Sequence, residues 1–140
     1  MADDTHRKVS LERVDTGVYR ATNANGAQLT FGSKYDEGFS PVELLLAAIG
    51  GCSAVDVDMV TGRRSEADTF DVDIEADVVR DDTGNILENI ELTFKVTFPQ
   101  GDAGDKARQM LPRAAKASHD RTCTVSRTVE AGTEVHVNVD

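Results

Sequence analysis

Residues 41–57 read Pro-Val-Glu-Leu-Leu-Leu-Ala-Ala-Ile-Gly-Gly-Cys-Ser-Ala-Val-Asp-Val, and this stretch decides the fold. Ser40 before it is suited to cap a helix, and Pro41 is suited to the first helical turn. The pattern predicts a helix that runs to about Thr61, where Gly62 and two arginines end it. Because the helix is apolar on nearly every side, we expect other parts of the protein to cover it all round.

A cysteine, Cys52, is embedded in this helix. A lone cysteine on an apolar helix usually acts as a small hydrophobic residue, whereas a reactive thiol needs a nearby cation or a helix N-terminus. Cys52 stands in mid-helix, so an activating cation would have to come from elsewhere in the fold. At about 100° per residue, Leu45, Ala48 and Asp56 share its face, and Glu43 points away.

Two glycines, Gly50 and Gly51, directly precede Cys52. Each costs about 1 kcal/mol relative to alanine inside a helix, so some other contact must compensate. Close approach of another element at this level is the natural explanation. Two explanations of the glycine pair remain open: tight helix packing alone, or a partner element placed directly beside the Cys52 thiol.

The flanking sequence predicts two groups of antiparallel strands. Residues 9–14, 18–22 and 28–31 form an N-terminal meander, and a loop over 33–40 leads to the helix. After the helix, residues 70–78 and 90–98 alternate between apolar and polar side chains and predict a second hairpin.

The C-terminal third predicts one more helix and one more strand. The helix runs from Asp102 to about Arg121, and Pro112 should split or kink it. Val135, Val137 and Val139 alternate with polar residues and predict a last strand that closes the domain. The sum of these elements is an α+β fold.

Length and charge narrow the class of protein. The chain has 140 residues, which predicts a single domain over residues 1–140. Its 25 acidic and 15 basic residues give a net charge of −10, which argues against nucleic acid or an anionic membrane as a partner.

Cellular location and metal content follow from the apolar runs and the cysteines. The longest apolar run, Leu44 to Cys52, is shorter than the about 20 residues that cross a bilayer, and no apolar signal region is visible. We therefore expect a cytoplasmic protein with reduced thiols. No ligand spacing indicates zinc, so we predict no metal and no cofactor.

The second cysteine, Cys123, stands 71 residues after Cys52 in His-Asp-Arg-Thr-Cys-Thr-Val-Ser-Arg, residues 119–127. The Ser-Pro-x-Glu-Leu-Leu-Leu-Ala-Ala-x-Gly-Gly-Cys helix and the Cys-x-Val-Ser-Arg-Thr segment together resemble the OsmC/Ohr superfamily of thiol proteins. The chain is more similar to its less characterised OsmC-like branch than to the organic hydroperoxide resistance proteins. This resemblance implies an intertwined homodimer whose antiparallel sheets enclose the two Cys-bearing helices.

The resemblance also implies roles for particular residues. Cys52 would be the peroxide-reactive thiolate, and Cys123 would resolve its sulfenic acid as a disulfide. An arginine and a glutamate activate the first thiol in the family; Arg20 is our candidate for the arginine. Arg13 and Arg127 are alternatives, and Val42 occupies the glutamate's place.

His119, four residues before Cys123, has two interpretations. It either contributes to the surroundings of that thiol or, more plainly, interacts with the dipole at a helix end. The sequence leaves the choice open.

Two functions from different classes follow. The first is a thiol-dependent peroxidase that reduces organic hydroperoxides through Cys52 and Cys123, with a cellular dithiol as reductant. The second is a non-peroxidatic thiol or binding protein that holds a small apolar ligand in a pocket at the dimer interface. Both cysteines in their family contexts favour the first, and Val42 favours the second.

Overall fold

The computed structural model describes residues 5–33, 36 and 38–140. These described residues contain five strands and three α-helices, which confirms the predicted α+β class. The elements in chain order are β1 (Val9–Asp15), β2 (Val18–Asn23), β3 (Gln28–Gly32), α1 (Pro41–Gly62), β4 (Thr69–Asp81), β5 (Gly84–Thr97), α2 (Asp102–Ala117), a π-helical segment called here the π-turn (Ser118–Thr122), and α3 (Thr124–Ala131).

The chain divides into two compact units, one up to Leu45 and one from Leu46 onward. The first unit contains the predicted meander, in which β1, β2 and β3 pair in sequence order and antiparallel. Its two turns carry Gly17 and Gly26 at φ of 72° and 86°, a conformation that favours glycine. The single domain over 1–140 stays a prediction.

The predicted loop over 33–40 lies partly outside the described residues, because 34, 35 and 37 are not among them. At its described end, Phe39 forms a parallel bridge with Phe31 of β3.

Helix α1 begins with a reciprocal cap that explains one residue of the motif. The backbone N–H of Glu43 donates to Ser40 Oγ at 3.2 Å, and the backbone N–H of Ser40 donates to Glu43 Oε1 at 2.9 Å. This capping box satisfies two amides that the helix itself leaves unpaired. The predicted start at Pro41 is confirmed, with Ser40 as the cap and Glu43 as its partner in the capping box.

In the second unit, the hairpin of β4 and β5 packs against α1. Its apolar positions, including Ile74 opposite Leu92, alternate with polar ones as predicted. A Cβ atom added to Gly50 would lie 2.2 Å from Ile74 Cδ1, so only glycine fits there without movement. A Cβ atom on Gly51 would meet nothing within 4 Å among the residues that the structure describes. Tight packing therefore explains Gly50 but not Gly51.

One face of α1 is buried and the opposite face is not. Ile49, Ser53 and Val57 are buried, while Val55 and Met59 are 59% and 65% exposed. The sequence predicts that other parts of the protein cover α1 on every side, but the described residues of one chain leave this face of the helix exposed.

Length and composition alone would allow α1 to cross a membrane, since its 22 residues include a window of mean hydropathy 1.6. The same measures describe the core helix of a soluble protein. The residues of α1 that are buried lie in the second unit.

The region after the hairpin differs from the prediction in its helices. Pro112 does not split α2, which continues to Ala117 and then into the π-turn. Proline removes one backbone donor, and the remaining hydrogen bonds keep the helix continuous. The sequence analysis missed α3, which begins after Cys123 and ends at Gly132 in the left-handed conformation.

The predicted last strand is wrong for this chain. Residues 133–140 contain no strand, and Val135, Val137 and Val139 are 83%, 83% and 91% exposed. Alternating side chains make a strand only where a neighbouring strand accepts and donates its backbone hydrogen bonds. No described strand of this chain pairs with the segment.

Candidate functional site

Both cysteines lie in the second unit and both are free thiols. Cys52 is half-buried on α1, and Cys123 is fully buried between the π-turn and α3. The predicted position of Cys123, just beyond the end of a helix, is confirmed.

Cys123 joins the π-turn to α3 through its backbone and its sulfur. Its backbone N–H donates to the carbonyl of Ser118 at 2.7 Å and closes the π-turn. Its Sγ accepts the backbone N–H of Ser126 at 3.4 Å, so Cys123 caps the start of α3. Its thiol also donates to Ser126 Oγ at 3.2 Å. The sulfur is thereby held against the first turn of α3.

A carboxylate network connects the surroundings of the two cysteines. Asp56 Oδ2 accepts hydrogen bonds from Ser118 Oγ and Thr122 Oγ1, both at 2.8 Å. Ser118 Oγ also lies 3.2 Å from Ser53 Oγ. The Ser118 hydroxyl has one proton, and it donates that proton in the hydrogen bond to Asp56. In the bond between the two serines, the Ser53 hydroxyl is therefore the donor and Ser118 Oγ is the acceptor.

This network links residues next to Cys52 with both ends of the segment before Cys123. The sequence analysis placed Asp56 on the face of Cys52 but did not foresee these contacts. A signal was present, because Ser118 and Thr122 stand four residues apart and so share one face at a helix end.

A cavity of about 260 Å³ adjoins this region in the second unit. Its lining is mostly apolar, with three polar residues; the lining residues are Ile49, Ile90, Leu92, Val129, His119, Ser126 and Glu130. Ser126 is the residue bonded to the Cys123 sulfur, and Ile49 stands three residues before Cys52 on α1. The cavity can hold a small apolar group close to the residues that surround the thiols.

His119 lies at this cavity between two carboxylates. Its Nδ1 is 3.0 Å from Asp120 Oδ1, and its Nε2 is 2.7 Å from Glu130 Oε1. The hydrogen bond with Asp120 first, and the charge of Glu130 next, raise the pKa of His119 above its ordinary value of 6.5. His119 lines the same cavity as Ser126, and the choice between its two interpretations stays open.

The three candidate arginines lie in different places. Arg20 on β2 forms an ion pair with Glu12 of β1, in the first unit. Arg13 is also on β1, whereas Arg127 is on α3 and shares a unit with both cysteines. Arg127 makes no ion pair in the described part of the chain. The role of each arginine stays a prediction.

In residues 5–33, 36 and 38–140, no group of three His, Cys, Asp or Glu side chains could hold a metal ion.

His119 bridges the carboxylates of Asp120 and Glu130, and this histidine bridge predicts that folding stability depends on pH. Because the pKa of His119 is raised in the folded state, protonated His119 stabilises the fold. This contribution to the free energy of unfolding is complete below about pH 6.5 and is lost as pH rises through the folded-state pKa. We expect His119→Gln to remove part of the fall in urea midpoint between about pH 5 and about pH 8, where histidine titrates. His136→Gln is the control, since that exposed side chain has a carboxylate no nearer than 3.9 Å. Equal pH profiles for wild type and His119→Gln would contradict the bridge.

Known proteins match this chain in sequence and in structure. An uncharacterised protein of Mycobacterium tuberculosis is 30% identical over 130 residues, covering 92% of this chain and 93% of that protein. A hypothetical protein from Aquifex aeolicus has a similar crystal structure, with a TM-score of 0.74 and 28% identity over 91% of this chain and 89% of that one.

A third match is the organic hydroperoxide resistance protein OhrB of Bacillus subtilis. It has a TM-score of 0.54 and 19% identity over 89% of this chain and 90% of that one, a likeness of fold alone. The family model described as OsmC-like protein matches residues 33–138. The chain belongs to the OsmC-like protein family.

Proposed function

We propose that this protein is a thiol-dependent peroxidase that reduces organic hydroperoxides through Cys52, with Cys123 as the resolving cysteine. The observation that carries the proposal is the network of Ser53, Asp56 and Ser118, which joins the surroundings of the two free thiols within one compact unit. The mostly apolar cavity beside Ser126 suits the organic part of such a substrate.

The proposed reaction has two steps in the protein. The Cys52 thiolate attacks the terminal oxygen of the hydroperoxide, so an S–O bond forms, the O–O bond breaks, and the alcohol leaves after taking up a proton. The thiol of Cys123 then attacks the sulfenic acid, forming the disulfide and releasing water. A cellular dithiol reopens the disulfide and is itself oxidised.

Arg20 stays in the proposal as the residue that stabilises the thiolate, on the basis of the resemblance alone. In this chain Glu12 pairs with it, and Val42 offers no carboxylate. The Arg20–Glu12 pair is exposed, and exposed pairs hold their partners weakly. Arg127 is therefore tested beside it.

The peroxidase proposal predicts a defined order of activity among variants. With cumene hydroperoxide and one dithiol in stopped flow, we expect Cys52→Ser to lose all turnover above background. Cys123→Ser should turn over more slowly than wild type, since its sulfenic acid has no intramolecular partner and must react with the dithiol directly. Val42→Glu should raise the wild-type rate.

The same assay decides between the arginines. Replacing the activating arginine should slow the reaction by about tenfold, which corresponds to the loss of roughly 1.4 kcal/mol of thiolate stabilisation. The turnover rates of three variants are compared: Arg20→Ala, Arg127→Ala and Arg13→Ala. Wild-type turnover no faster than that of Cys52→Ser would reject the peroxidase.

A second candidate function is a non-peroxidatic thiol or binding protein for a small apolar ligand. Two observations favour it: the mostly apolar cavity in the second unit, and the absence of a carboxylate at Val42. A wild type that binds a hydrophobic ligand but consumes no hydroperoxide would establish this candidate.

We also propose that the protein acts as a homodimer in the cytoplasm. The uncovered face of α1 supports the dimer, since fewer than a third of the residues in its 18-residue apolar window are buried within the chain. Each large apolar side chain left in water there costs about 1.5–3 kcal/mol. Gly51 lies on the same exposed side, where an added Cβ would contact none of the described residues, and it permits close approach of a second copy.

The dimer predicts that a charge on the uncovered face is harmful only to association. Val55 is 59% exposed in one chain, so Val55→Asp should fold, but it should weaken the dimer at least about a hundredfold because a buried unpaired charge costs on the order of 3 kcal/mol. Sedimentation equilibrium at micromolar concentration measures this, with Val55→Ala as the control. A wild type that sediments as a stable folded monomer would contradict the dimer.

A further inference from the structure

We propose that Asp56 is the positioning residue for Cys123: its carboxylate clamps the π-turn and so fixes where the second thiol is presented. The inference rests on the resolving role of Cys123 in the proposed function. The proposed peroxidase chemistry itself gives Asp56 no part.

The clamp acts on both ends of the π-turn at once. Ser118 is the first residue of the turn and Thr122 is the last, and both hydroxyls donate to the same oxygen, Asp56 Oδ2, at 2.8 Å. Hydrogen bonds to a charged carboxylate are shorter and stronger than bonds between neutral groups. One anchored oxygen therefore sets the separation of the two ends.

The position of Cys123 depends on Ser118, the residue that Asp56 holds. The bond that closes the turn runs from the Cys123 backbone N–H to the Ser118 carbonyl at 2.7 Å. Ser118 is 1% exposed and is fixed by Asp56 on one side and Ser53 on the other. A shift of Ser118 would consequently shift Cys123.

A π-helical turn is itself an uncommon choice of backbone. Such turns are rare and are found frequently at functional sites. At Cys123 the chain leaves the helical conformation, with φ of −76° and ψ of 94°, and α3 then begins. The side-chain clamp supplies hydrogen bonds that hold this irregular junction together.

An ordinary ion pair does not account for Asp56. Among residues 5–33, 36 and 38–140, no lysine, arginine or histidine lies within ion-pair distance of its carboxylate. The hydrogen bonds to its side chain come from the two hydroxyls of the π-turn. A half-buried carboxylate with such partners orients the turn and does not neutralise a charge.

The first test measures the accessibility of Cys123 in a Cys52→Ser background, in which it is the one remaining thiol. Adding Asp56→Ala should speed iodoacetamide alkylation at least about tenfold, because loss of two charge-assisted hydrogen bonds lets the turn open more often. Asp56→Asn should restore most of the protection, since its amide oxygen still accepts. Asp58→Ala, which removes an exposed carboxylate from the same helix, should change nothing.

The second test separates positioning from a general loss of structure. Diamide takes two hydrogens from a pair of thiols, becoming the hydrazine, and leaves a disulfide. We expect Asp56→Ala to form the Cys52–Cys123 disulfide at least about fivefold more slowly than wild type or Asp58→Ala. Alkylation of Cys52, measured in a Cys123→Ser background, should keep its rate.

The outcomes are distinct. If Asp56→Ala matches Asp58→Ala in both tests, the clamp is rejected and the peroxidase proposal is untouched. If wild type forms no disulfide with diamide, the resolving role and this inference both fall, whereas hydroperoxide consumption by Cys52 is judged separately. If Asp56→Ala does not fold, Thr122→Val removes one arm of the clamp, and unchanged Cys123 alkylation in that variant overturns the inference.

Discussion

The constraint on which the rest of the structure depends is the apolar surface of α1. Its buried face is covered by the β4–β5 hairpin, which approaches so closely that Gly50 has no room for a side chain. Its other face stays exposed in a single chain. A helix of this kind is stable only when a second surface covers it. The proposed homodimer supplies that surface, and it would bring the Cys52 helices of two copies together.

Within this apolar setting, a few polar contacts determine where the thiols lie. Asp56 and Ser53 on α1 hold the π-turn, and the π-turn holds the backbone of Cys123. The sulfur of Cys123 is then fixed against Ser126, which also lines the cavity. The residues that line the cavity, the Cys123 thiol and the helix that carries Cys52 are therefore joined by hydrogen bonds in the second unit.

The sequence predicted most of the elements because their signals are local. The cap at Ser40, the meander turns and the alternating strands of the second hairpin each depend on near neighbours. The last strand failed because its hydrogen bonds require a partner that alternation does not reveal. The spacing of Ser118 and Thr122 places their hydroxyls on one face, but it does not identify Asp56, 62 and 66 positions away, as their shared partner. Among the candidate site residues, the motifs point to both cysteines, whose roles stay predictions, and no pattern distinguishes Arg20 from Arg127.

The central claim is that the two cysteines act as one redox pair within a single chain. It is tested most directly by treating the reduced protein with one equivalent of cumene hydroperoxide and mapping its peptides by mass spectrometry. We expect one intramolecular link between Cys52 and Cys123 and the loss of both free thiols. Free thiols throughout, or links between two chains only, would contradict it.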